Sequence, residues 1–107
     1  MNFLKVIFNK MLRYIDSIKY WKKQGAIIGE NCEIHHRASL GSEPYLVKIG
    51  NHVRLCDGVK IITHDGGLWV FRERKELSHI DAFGEVKIGD NVHVGIDVII
   101  ARCFYWK

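Results

Sequence analysis

The sequence predicts an all-β fold: a triangular parallel β-helix of about three hexapeptide coils with one long loop insertion, preceded by an N-terminal amphipathic α-helix. Three observations carry this expectation. Aliphatic residues recur every six positions in three sets of three units, beginning at Ile28, Ile34 and Leu40, then Ile49, Leu55 and Ile61, then Ile88, Val94 and Ile100. Glycine follows the leading aliphatic residue at Gly29, Gly41, Gly50, Gly89 and Gly95. Ahead of the repeats, Leu4, Ile7, Phe8, Met11, Leu12, Ile15, Ile18 and Trp21 fall at the three- and four-residue spacings of one helical face.

The helical segment defines a first unit, residues 1–24, and the repeats a second, 25–107. Its apolar face fits docking on the protein's own core or on a sister subunit. It also fits a bilayer interface with the basic residues near anionic headgroups. Gly25 is placed to end it. Within the repeats, the fifth position of most units is small or β-branched, as at Cys32, Ala38, Val53, Val59, Val92 and Val98. An aliphatic residue at the head of each short strand and a small one near each corner are what a triangular solenoid requires. Turns take polar residues and glycine, as in Gly50-Asn51 and Gly89-Asp90-Asn91.

Two insertions interrupt the six-residue register. Leu40 to Ile49 spans nine positions, with Ser42-Glu43-Pro44-Tyr45 as the bulge. Ile61 to Ile88 spans 27, and this long loop carries Trp69, Arg72, Arg74, His79 and Asp81. A loop of that length is expected to bind an acceptor or bridge subunits.

Composition narrows the function classes. A length of 107 residues allows one domain, and 48% hydrophobic content fits a folded chain. The net charge of +4 is uneven: Lys5, Lys10, Arg13, Lys19, Lys22 and Lys23 against Asp16 give residues 1–24 a charge of +5, leaving −1 for the rest. A basic patch confined to one amphipathic terminus fits a membrane surface or solubility, and no nucleic-acid partner is expected. Cys32, Cys56 and Cys103 are odd in number and widely spaced, which suggests neither a disulfide framework nor a zinc knuckle and points to a reducing cytoplasm. No apolar run reaches the roughly 18 residues of a membrane span, and Lys5, Asn9 and Lys10 break the N-terminal apolar residues, so no export is expected.

His64 is the side chain best suited to chemistry. The β-rich run from Val59 to Thr63 delivers it to Asp65-Gly66-Gly67, and Leu68-Trp69-Val70-Phe71 follows at once. An imidazole that can take up a proton near neutral pH would thus sit beside apolar groups able to exclude water.

On these residues the chain resembles the hexapeptide-repeat acyltransferases with a left-handed parallel β-helix, specifically the O-acetyltransferases of bacterial capsule and O-antigen biosynthesis. The resemblance covers most of the chain. It rests on the segment from Lys22 to Cys32 leading into the repeat, on Gly41-Ser42-Glu43-Pro44-Tyr45, on Ile62-Thr63-His64-Asp65-Gly66-Gly67 with Trp69-Val70-Phe71-Arg72, and on Ile88-Gly89-Asp90-Asn91-Val92. It implies a cytoplasmic homotrimer, at the inner membrane face if the helix lies in the bilayer. Acetyl-CoA would be the acyl donor, a sugar or oligosaccharide hydroxyl the acceptor, with active sites between subunits and no metal. His64 would be the general base, with Asp65 or another carboxylate orienting it. Adjacent side chains on a strand face opposite ways, which counts against Asp65 as a direct partner. Backbone N–H groups near Gly66 or Gly95 would stabilise the oxyanion. Gly67, Trp69 and Arg72 would join them in binding donor and acceptor, with Arg72 and Arg74 available for phosphates.

Two alternatives stand beside this reading. A β-helix enzyme of carbonic-anhydrase type would hold zinc with converging histidines. Its histidine pair has four intervening residues, a spacing that no two of His35, His36, His52, His64, His79 and His93 show. An inactive structural remnant is the other, because Cys103-Phe104-Tyr105-Trp106-Lys107 departs from the repeat and puts bulky Phe104 at a small position. A one-base shift in one permitted coding of this tail reads valine, phenylalanine, isoleucine, glycine, which restores the repeat. The expectation is therefore a C-terminus truncated by a frameshift, against an aromatic tail that caps the last coil.

Overall fold

Asn2 opens the first helix: its side chain accepts the Leu4 amide at 3.0 Å, which satisfies one of the donors that a helix start leaves unpaired. In the computed structural model, which describes residues 2–64, 66–79 and 83–102, this helix is α1 (Phe3–Ile15), and a second, α2 (Ser17–Lys23), follows it. The periodicity from 3 to 21 predicts one helix; Asp16 divides it. Asp16 adopts φ −143° and ψ 83°, and its carboxylate accepts the Lys19 amide at 3.1 Å, a local bond that competes with continued helix. At the other end of α2, Gly25 sits at φ 109°. Its N–H donates to Lys22 O while Ala26 N–H donates to Trp21 O, a left-handed cap that side chains beyond glycine resist.

Among the described residues eight strands follow: β1 (Ile27–Ile28), β2 (Glu33–Ile34), β3 (Val47–Ile49), β4 (Val53–Leu55), β5 (Lys60–Ile62), β6 (Val86–Ile88), β7 (Val92–Val94) and β8 (Ile99–Ala101). They pair in parallel as β1-β3-β6, β2-β4-β7 and β5-β8. Ile28, Ile49 and Ile88 are partners across the first sheet, Ile34, Leu55 and Val94 across the second, and Ile61 and Ile100 across the third. The residues between them, such as Lys48, Arg54 and Lys60, face solvent. Val47, Val53, Leu55, Val59, Leu40 and Ile61 are fully buried, and each such side chain withdrawn from water contributes about 1.5–3 kcal/mol. Trp21 and Ser17 anchor α2 on this core; Ser17 Oγ donates to Ile34 O, and the Arg13 guanidinium lies 5.0 Å from the Trp21 ring.

The expected all-β, left-handed β-helix class is corrected by these elements. Among the described residues helical segments take 34% and strands with isolated bridges 26%, and the strands form small parallel sheets with no closed or solenoid sheet. The physical cause is local. Each run of extended backbone ends within three residues, and Asn31, His52, Asn91 and Asp97 turn it with φ of 56–59°, so pairing does not pass from one sheet to the next. The long insertion also adds helix: Gly66–Trp69, Phe71–Glu73 and Lys75–Leu77 coil into 3₁₀ turns, as Pro44–Leu46 does in the short one. The chain is therefore a mixed α and parallel-β structure. The tail expectation falls on residues 103–107, which lie outside the described residues.

Candidate active site

The short insertion folds under the end of β5. Gly41 turns the chain at φ 85°, and a Cβ there would stand 2.7 Å from Ile61 O, so only glycine fits this approach. Two residues on, Glu43 precedes a 3₁₀ turn that Pro44 begins, and Glu43 O accepts the Leu46 amide at 3.0 Å. The Glu43 side chain is carried inward and is only 12% exposed.

A carboxylate so placed is costly unless its oxygens find partners. Thr63, itself 1% exposed, donates its hydroxyl to Glu43 Oε2 at 2.6 Å, the short distance of a charge-assisted bond. The other oxygen, Oε1, stands 3.7 Å from His64 Nδ1. That is beyond a hydrogen bond and within ion-pair distance when the imidazole is protonated. His64 remains 35% exposed at its side chain, with Phe83 stacked on it at 4.2 Å between ring centroids and 27° between planes.

The backbone holds this group from two sides. The chain returning from the long insertion bridges His64 at Phe83, and the Gly84 amide donates to Thr63 O at 2.8 Å. From β8, the Arg102 amide donates to Ile62 O at 3.0 Å. The Arg102 side chain passes across Gly84, where any Cβ would overlap it. Nδ1 is thus the His64 nitrogen turned toward the carboxylate.

Of the residues singled out in the sequence, His64 lies at this centre and Asp65 lies outside the described residues. Gly66 and Gly67 begin the 3₁₀ turn that follows; a Cβ at Gly66 would meet nothing within 4 Å, so space alone does not demand glycine there. Trp69, Val70, Arg72 and Glu73 line a shallow cleft of about 400 Å³, with Trp69 74% exposed. Gly95 is not brought to His64. It lies in the turn between β7 and β8, stacked on the turn that enters β5, whereas His64 follows the exit of β5. His35, His52 and His93 belong to the β2-β4-β7 side, where His52 Nδ1 contacts Asn91 Oδ1 at 2.9 Å. Among the described residues no three His, Cys, Asp or Glu side chains are grouped to hold a metal ion.

Glu43, Phe83 and Arg102 join the site only in three dimensions, and Thr63, which precedes His64 in the chain, gains its role there through its bond to Glu43. A sequence signal for Glu43 did exist. Strand partners Ile27 and Lys48, like Glu33 and Arg54, stand 21 residues apart, and Glu43 and His64 share that separation.

No protein-family model matches the chain, and no solved structure matches it. Among curated proteins it is 43% identical over 99 residues to protein CapG of Staphylococcus aureus, an alignment that takes in 91% of this chain and 56% of that protein. The chain thus spans about half the length of the curated relative it matches.

Proposed function

We propose that the chain transfers an acetyl group from acetyl-CoA to a sugar hydroxyl during the making of a bacterial capsule or related surface polysaccharide. The similarity to CapG supports the capsule association. The observation that carries the chemistry is the buried Glu43 carboxylate, held by Thr63 and facing Nδ1 of an accessible histidine. In this reading the acceptor oxygen attacks the thioester carbonyl as the His64 imidazole removes its proton. The carbon–sulfur bond then breaks, and the imidazolium returns the proton to the departing CoA thiolate. Glu43 orients the ring and offsets the positive charge that forms on it, while the Phe83 face limits water. A metal has no part in these steps.

Acceptor-dependent release of CoA thiol, measured with the full chain across nucleotide sugars and oligosaccharides, tests the reading. His64→Ala is expected to reduce turnover by about 10²–10⁴-fold and to leave CoA affinity nearly intact. Turnover unchanged in His64→Ala removes His64 as the base; no acyl transfer from acetyl-CoA to any sugar hydroxyl removes the function.

A further inference from the structure

We propose that α1 is an interfacial helix that seats the protein on an anionic bilayer surface. A surface helix ordinarily turns its apolar stripe toward the core; α1 does the reverse. Phe3, Leu4, Ile7, Phe8, Met11 and Ile15 are all exposed, and at roughly 100° per residue they fill one continuous arc. Val6, Asn9, Leu12 and Arg13, on the opposite arc, are the less exposed residues. Polar bonds hold that inner arc: Lys23 Nζ donates to Asn9 Oδ1 at 3.3 Å, and Arg13 donates to Ala38 O at 3.0 Å.

Charge identifies what covers the outer arc. Lys5 and Lys10 flank its two edges on the helical wheel, the arrangement of a helix lying among headgroups. Among the described residues no carboxylate pairs with Lys5, Lys10, Lys19, Lys22 or Lys23. At the Lys10 edge, Lys10, Arg13, Tyr14, His36 and Arg37 line an open cleft of about 490 Å³; Arg13 is held by Ala38 O and Arg37 lies 3.6 Å from Asp57, which leaves Lys10 to meet a phosphate headgroup. A second copy of this face would set like charge against like charge. With 13 residues, α1 reaches roughly 20 Å, short of the ~30 Å hydrocarbon layer, so it lies on the membrane without crossing it.

Co-sedimentation of the full chain with vesicles tests this, using phosphatidylcholine alone and phosphatidylcholine with phosphatidylglycerol. The anionic vesicles are expected to retain the protein, with binding that weakens as salt rises and falls about fivefold for each of Lys5→Ser and Lys10→Ser. Phe8→Glu abolishes retention while the melting temperature holds, since Phe8 is exposed and the Lys23 ammonium, 5.5 Å from its ring, can pair with a glutamate there instead. Equal binding to both vesicles, or none to either, overturns the proposal. So does a fall in lipid-free mass by light scattering in Phe8→Glu, which assigns the face to a second copy. Retention that persists in Phe8→Glu and is competed away by inorganic phosphate assigns the cleft to a free anion and overturns it as well.

Discussion

The two insertions that interrupt the six-residue register part company in the fold. The short one, residues 42–45, goes inward: Glu43 and Pro44 are buried, and the segment supplies a carboxylate to the end of β5. The long one leaves Trp69, Val70 and Phe71 exposed, and among the described residues Phe83 and Gly84 bring it to the site by pairing with His64 and Thr63. Length is therefore a poor guide to which insertion places a side chain beside His64. A four-residue bulge has few backbone polar groups to satisfy and can be buried by a single 3₁₀ turn, whereas a long loop must leave most of its backbone in water.

Removing the short insertion's carboxylate breaks the comparison most severely. Glu43→Ala is expected to lower kcat by about 10²–10³-fold with KM little changed, and Glu43→Asp to restore part of that loss. A merely structural role would lower the melting temperature and be rescued by Glu43→Gln; steady-state kinetics with thermal melts separates the two. Next comes Thr63→Val, which keeps the buried shape and deletes the donor to Oε2. Leaving that oxygen unsatisfied destabilises by about 1–3 kcal/mol, to be read from urea unfolding, and an unchanged midpoint contradicts the buried pairing.

The long insertion should respond far less. Trp69→Ala is expected to alter stability by no more than about 0.5 kcal/mol, because the side chain is exposed. Any effect should appear in the KM of the acceptor, and a large drop in melting temperature would show that this loop packs as the short one does. The smallest effect belongs to Glu85, at the end of the long insertion where β6 begins. Its carboxyl is held below the usual carboxylate range, first by the hydrogen bond from Lys48 and then by the charges of Lys48 and Lys87. A group whose native pKa lies below its unfolded value stabilises above the ordinary carboxylate range, and that contribution is lost as pH falls through the native value. Glu85→Gln should therefore lower the melting temperature slightly at neutral pH, less at high salt, and not at all in strong acid.

How legible the molecule was differs between levels. His64 stood out because an imidazole at the exit of a β-rich run, followed by two glycines, is a local pattern. Glu43 did not, since its inward direction depends on the Gly41 turn meeting Ile61 O, a contact between segments 20 residues apart. Gly95 fitted a repeat position and the proposed chemistry, yet the turn that holds it stacks at the far end of β5. The helix from 3 to 21 was visible as a period, whereas the Asp16 cap that divides it depends on one side chain choosing a local backbone amide.

By itself the sequence determined which aliphatic residues share a face, and the six-residue spacing made Ile28, Ile49 and Ile88 equivalent before any pairing was known. It likewise determined that α1 would be amphipathic, because side-chain direction along a helix or a strand follows from backbone geometry alone. Only the tertiary structure decided that the strands pair in small separate sheets within a mixed α and β chain. It also decided that the apolar arc of α1 faces outward and that a buried glutamate stands beside His64. The reason is common to all three. Hydrophobic period fixes what a residue presents, but its partner is set by the path of the chain between distant segments and by the few polar bonds that anchor that path.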